Sequence, residues 1–350
     1  MLSLQSNMQP KPTCCIIRFY KVLISNVIML AAVIDLGTNI FHLLIVRLDK
    51  QQFVVEKTAK AIVKLGENGI TTNKLHNDAI QRGLHAIIEF KQICNEFNVS
   101  KIYAFGTAAL RRAANANEFM QQVINLTGIS IEIIDGDTEA TFIWHGVKNA
   151  VKIENQIALI MDIGGGSTEF ILADNNQIYW KKSFDIGAAL LLEKFKPSDP
   201  ITLEEITAIN NFLAEEIAAV IVMCNQYKPK MLIGSSGSFD TFNDILQAQN
   251  NTSDNSNFNF LEINAYYNLH ALLLQSTLSE RLTMPGMIPI RADMIVMATL
   301  LTKLVLEKWP FSYLIRSAFA LKEGIVYSSF FTTHHQPNYP TQHGKNISNR

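Results

Sequence analysis

The chain has 350 residues and a mass of 39.3 kDa, and 48% of those residues are hydrophobic, enough to fill two ordinary globular cores. Thirty basic side chains against thirty-one acidic leave a net charge of −1, which excludes a global field drawing the protein onto nucleic acid or an anionic membrane. Four cysteines, Cys14, Cys15, Cys94 and Cys224, are too few and too scattered for a disulfide framework and fit the cytoplasm.

Near the N-terminus, Lys11, Arg18 and Lys21 precede an apolar run over residues 22 to 34 that loosely imitates a secretory signal. No small-residue cleavage pattern interrupts it, and it continues into a strand carrying Asp35. Residues 1–30 are therefore expected to be an extension outside the fold, with Met29 as the natural start. Three β-rich runs follow, at 31 to 36, 40 to 48 and 53 to 59. A helical pattern to about residue 97 places Ile80, Leu84, Ile87, Ile88 and Cys94 on one face. Strand KIYAFG, a helix over about 108 to 126 and strand ISIEII complete a first lobe over 31–150.

The same order restarts at Ile157, with IALIMDI, TEFILAD and QIYWKKSFD before any helix, which predicts a second lobe over 151–330. Thr202 and Glu205 form the pattern of a capping box, opening a helix that ends near Tyr227 ahead of Pro229. Strand MLIGSS, a polar loop over 250 to 259, helices near 265 to 278 and 292 to 306, strand FSYLIRS and a last helix near 321 to 330 follow. That last helix can pack back on the first lobe. Residues 331–350, rich in Asn, His, Pro, Thr and Gln, read as a disordered tail.

Each half opens with a strand ending in an acid, then glycine and hydroxyl or amide side chains. Asp35-Leu36-Gly37-Thr38-Asn39 answers Asp162-Ile163-Gly164-Gly165-Gly166-Ser167-Thr168. Consecutive glycines free the backbone so that N–H groups converge on an anion, and a strand-end carboxylate can hold Mg²⁺ beside it. One such turn can be a tight bend in a sheet; two at matching positions of a duplicated fold point to phosphate in a shared cleft.

These segments carry a resemblance. AAVIDLGTNIFHLLI, GTAALRRAANANEF, IEIIDGDTEATFIWHGV, IMDIGGGSTEFIL, IGSSGSFDTF and PIRADMIV are similar to the exopolyphosphatase and guanosine pentaphosphate phosphatase family, within the superfamily of actin, sugar kinases and heat-shock chaperones. The resemblance implies an α/β fold of two ribonuclease H-like, actin-type ATPase lobes around a cleft. It places a catalytic carboxylate on Glu139 as general base for water, although by position alone Glu139 reads as a solvated residue in the first turn of a helix. It implies phosphate contacts from Thr38, Asn39, Arg111, Gly164, Gly165, Gly166, Ser167 and Thr168, and Mg²⁺ held by Asp35, Asp162 and Glu169.

Arg112, about 100° further round its helix, is expected to be a solvated charge. The turn at residues 234 to 238 reads as an ordinary strand-to-helix connection, and the histidines offer no zinc pattern. The implied activity is cytoplasmic hydrolysis of the terminal phosphoanhydride of polyphosphate or guanosine pentaphosphate. Short chains are favoured because the sequence stops after the two lobes. A homodimer stays open, as do two other functions: a non-catalytic sensor of alarmone or polyphosphate, and an ATP-dependent kinase of the same superfamily.

Overall fold

The structure is a computed structural model that describes residues 29–50, 52–153 and 156–331. The expected N-terminal extension and C-terminal tail fall almost wholly outside those residues. The first sheet begins with three antiparallel strands, β1 (Leu30–Leu36), β2 (Ile40–Asp49) and β3 (Gln52–Ile62). After α1 (Asn77–Glu96) comes β4 (Lys101–Gly106), parallel to β1; α2 (Ala108–Arg112) and α3 (Ala116–Thr127) lead to β5 (Ile131–Ile133), giving the order β3-β2-β1-β4-β5.

A crossing helix, α4 (Gly136–Ala150), leads into the second sheet. Here β6 (Ala158–Ile163), β7 (Thr168–Ala173) and β8 (Ile178–Phe184) repeat the antiparallel opening. Helices α5 (Ala188–Phe195), α6 (Leu203–Glu216) and α7 (Ala218–Tyr227) precede β9 (Met231–Ser235), which lies parallel to β6 as β4 does to β1. The chain ends with α8 (Ser236–Gln249), β10 (Phe258–Leu261), α9 (Ile263–Gln275), α10 (Leu278–Thr283), α11 (Ile295–Lys308), β11 (Tyr313–Ser317) and α12 (Leu321–Phe331), completing the order β10-β11-β9-β6-β7-β8. Asp35 and Asp162 thus occupy the same place, one residue before the end of the strand that is hydrogen-bonded on both sides.

Between the sheets run α4 and α12. Their apolar faces, with Phe142, Ile143, Val147, Leu321 and Ile325, share one buried cluster with Val33 and Val46 of the first sheet and Ile160, Ile171 and Ile233 of the second. The helices cross so closely that a Cβ on Gly324 would lie 1.6 Å from the Phe142 carbonyl oxygen, and one on Gly146 would lie 2.2 Å from that of Ala320. Only glycine fits at either position. Among the described residues, no single helix is long and apolar enough to cross a membrane.

Three elements differ from expectation. The helix expected over 108 to 126 breaks between α2 and α3, because the Asn115 side chain bonds both ways with the Leu75 backbone (2.8 and 3.0 Å) and draws that turn onto the loop before α1. The helix opened by the Thr202–Glu205 capping box, which forms as expected, bends by 55° at Ile217 into α6 and α7. The bend lets Ile209, Leu213, Ile217, Val220 and Cys224 all reach one core. The polar loop is shorter than expected, since Phe258 and Asn259 pair with β11 as the edge strand of their sheet.

Candidate active site

The two acid-led turns meet face to face. A Cβ on Gly165 would lie 2.9 Å from Thr38 Cβ, and one on Gly166 would lie 2.8 Å from Thr38 Oγ1 and from Ala108 Cβ, so the lobes touch through glycine backbone. The amide of Ala188 donates to the Gly164 carbonyl (2.9 Å) and that of Ala189 to the Gly165 carbonyl (3.0 Å). In a trans peptide the C=O and N–H point opposite ways. With those carbonyls turned to the α5 amides, the N–H groups of Gly165 and Gly166 point away from those amides, and both glycines line the cavity. The cavity, about 150 Å³, lies between the lobes and is walled by both turns.

Four carboxylates stand on its wall: Asp35 from β1, Asp162 from β6, Glu139 from the first turn of α4 and Asp240 from α8. Asp135 caps that helix by accepting from the Thr138 amide at 2.7 Å, which fixes the turn that presents Glu139. Glu139 is only 7% exposed and pairs with Arg111, whose Nη1 lies 2.9 Å from its Oε2 and also donates to the Ile134 carbonyl. Burial pushes the Glu139 carboxyl up to about 7, with Arg111 holding it back and Asp162 adding to the rise. Burial also lifts Asp35 to about 7, reinforced by Glu139 and opposed by Lys322, and Asp162 to about 6 against hydrogen bonds from Ser235 and Ser236.

The donor set suits a hard cation completed by substrate. Asp35 Oδ1 is buried without a hydrogen-bond partner, and Asp162 Oδ2 accepts from Ser235 at 2.7 Å. Among the described residues no three acidic, histidine or cysteine groups form a ready cage. Mg²⁺ commonly takes one or two carboxylates and leaves the remaining positions to water and phosphate, which is what Asp35 and Asp162 offer.

Residues 44–333 match the model of the Ppx/GppA phosphatase family. The chain belongs to that family. It is a phosphoanhydride hydrolase. A Haemophilus influenzae protein provisionally named an exopolyphosphatase is 29% identical over 297 residues, 85% of this chain and 90% of its own. The crystal structure of an exopolyphosphatase from Cytophaga hutchinsonii is 35% identical and superposes with a TM-score of 0.84, covering 86% of this chain and 97% of that one. A Ppx/GppA family member from Aquifex aeolicus is 26% identical, with a TM-score of 0.73 over 88% and 99% of the two chains.

In this Ppx/GppA phosphatase the cavity wall brings together Asp35, Thr38, Asn39, Glu139, Asp162, the three glycines and Ser167. Other expected site residues lie elsewhere. Thr168 is fully buried and donates its hydroxyl to the Ile186 carbonyl at 3.0 Å, and Glu169, its carboxyl pushed well up by burial, accepts from Ser183 at 2.7 Å beside Asp162, its partner across the β6–β7 pair. Arg111 is not among the residues lining this cavity; its Nη1 donates to Glu139, which is. Arg112 is not a solvated charge: it pairs with Asp185 at 3.1 Å and so bridges from α2 to the second lobe.

Several wall residues of the phosphatase carry no signal in the sequence. Lys60, Arg291 and Lys322 line the same cavity as Asp35, Glu139, Asp162 and Asp240, and His42, kept neutral by burial, lines it too. The 234 to 238 turn is more than a connection. Ser235 bonds Asp162, Ser236 takes a left-handed φ of 68°, and Gly237 is so close to Arg291 that a Cβ there would fall 1.4 Å from its Nη2. The motif PIRADMIV contains Arg291 and Met294, whose sulfur receives the Asn39 amide at 3.1 Å. That segment was visible as a match; the side chain within it that reaches the cleft was not.

Proposed function

We propose that this phosphatase removes the terminal phosphate from inorganic polyphosphate, short chains above all, or from guanosine pentaphosphate, with Mg²⁺ as cofactor and Glu139 as general base. The observation that carries the proposal is Glu139 itself, a buried carboxylate on the cavity wall, braced by Arg111 and raised to about 7. A group poised near the working pH is ionised often enough to accept a proton and basic enough to use it. The names of the Cytophaga hutchinsonii and Haemophilus influenzae relatives support the polyphosphate reading.

A phosphoanhydride end carries several negative charges, and its hydrolysis needs neutralisation and a positioned water more than covalent chemistry. The N–H groups of Gly165 and Gly166 and the hydroxyls of Thr38 and Ser167 would hold the terminal phosphate oxygens. Asp35 and Asp162 would hold Mg²⁺, which when bound neutralises charge on those oxygens. Glu139 takes a proton from water as the oxygen forms its bond to phosphorus. The bridging P–O bond breaks, and its electron pair leaves on the shortened chain. Lys60, Arg291 and Lys322 on the cavity wall would neutralise charge on a polyanionic substrate.

Phosphate release measured side by side on short polyphosphate, long polyphosphate and guanosine pentaphosphate, with and without Mg²⁺, tests the proposal. The expected order has short polyphosphate fastest and no release without metal. Binding without release on any of the three would make the protein a sensor, and transfer of phosphate from labelled ATP to an acceptor other than water would make it a kinase.

A further inference from the structure

Lys322 sits where a lysine is disfavoured. It is the second residue of α12, at the positive end of the helix dipole, and its side chain is only 23% exposed. Local rules broken at a buried position are found where function compensates for them. Glu323 fixes it: Oε2 of Glu323 accepts the Ala320 amide at 3.0 Å, while Oε1 meets Lys322 Nζ at 2.9 Å. An ammonium has three donors, and Glu323 takes one. The head group stands on the cavity wall within the attraction of Asp35 and Asp240. Because α12 is locked against α4 at Gly324 and Gly146, one rigid helix pair presents both this lysine and Glu139 to the same cavity.

We propose that Lys322 is a catalytic residue that binds the terminal phosphoryl group of the substrate and the orthophosphate product, offering the phosphate oxygens the donors that Glu323 leaves free. The proposal rests on the phosphoanhydride reading of the site. Arriving phosphate oxygens would meet a cation already held in place by Glu323, and the charge on the group being transferred would be met from the α12 side of the cavity. A lysine that only balances Asp35 would make no such contact.

The test compares Lys322→Met, which keeps most of the stem, with Lys322→Arg. Inorganic phosphate binding is measured by titration calorimetry in the presence of Mg²⁺, with kcat and KM measured on short polyphosphate. The proposal expects Lys322→Met to weaken phosphate at least tenfold and lower kcat/KM about a hundredfold, with Lys322→Arg recovering most of both. Phosphate affinity within twofold of wild type in Lys322→Met would overturn it. On the wild-type protein, phosphate with Mg²⁺ should protect Lys322 from an amine-reactive reagent, read by mass spectrometry. Unchanged labelling would also overturn it, whether or not the methionine variant folds. Neither binding nor protection depends on turnover, so failure of the hydrolase reading would be seen separately, as wild-type protein that releases no phosphate.

Discussion

The ion pair between Arg111 and Glu139, at 2.9 Å, sets the balance between two opposed effects on one carboxylate. Burial favours the protonated acid, and the guanidinium favours the ionised base. Replacing Arg111 by Met removes the second effect and raises the Glu139 pKa above about 7. A general base works only when ionised, so the acid limb of the kcat/KM profile should move to higher pH by about one unit. A profile between pH 5 and 9 with its limb unmoved would remove Arg111 from this role. Asp35, Asp162 and the glycines were legible because acid, strand end and turn are contiguous in sequence. Glu139 was legible only through resemblance, since a glutamate in a first helical turn is most often solvated. Arg291 and Lys322 were not legible, because the cleft gathers them from the segment before α11 and the start of α12, and a lysine opening a helix reads as surface charge.

At the scale of elements, the closely packed pair α4 and α12 carries the site. Their contact depends on Gly146 and Gly324, and a methyl group at Gly324 would collide with the Phe142 carbonyl and the Gly146 amide, both backbone atoms that cannot rotate away. Gly324→Ala should therefore destabilise the fold by about 1–3 kcal/mol or more, read by urea unfolding, and should lower activity even where the protein stays folded. Unchanged stability would mean that the helices separate at no cost. The succession of strands along each half, β10 apart, was readable from β-rich runs and their turns, and so was the Thr202–Glu205 cap. The breaks at Asn115 and Ile217 were not. Both answer to tertiary demands, a side-chain clamp on the Leu75 backbone and a core that needs Ile217 inward, which periodicity does not carry.

Across the whole molecule, two sheets close on an acid-rich cavity, and Thr71–Glu193 (2.5 Å) and Arg112–Asp185 (3.1 Å) tie the lobes together. Asp35 has a folded-state pKa of about 7 against an ordinary 3.8, so the folded protein holds this proton more tightly than the unfolded chain does. Stability from that proton is present below about pH 4 and is lost as pH rises through about 7. Without metal, the melting temperature of Asp35→Asn minus that of wild type should therefore grow between pH 5 and 8. Mg²⁺ should stabilise wild type more at pH 8 than at pH 6 and Asp35→Asn little at either, whereas a pH-independent difference would place Asp35 outside the metal site. Hydrolysis depends above all on Glu139, and the most direct measurement is phosphate release by Glu139→Gln on short polyphosphate with Mg²⁺, alongside calorimetric binding of the same substrate. Release should fall by about 10²–10⁴ with affinity preserved within a fewfold; release within a fewfold of wild type would contradict it.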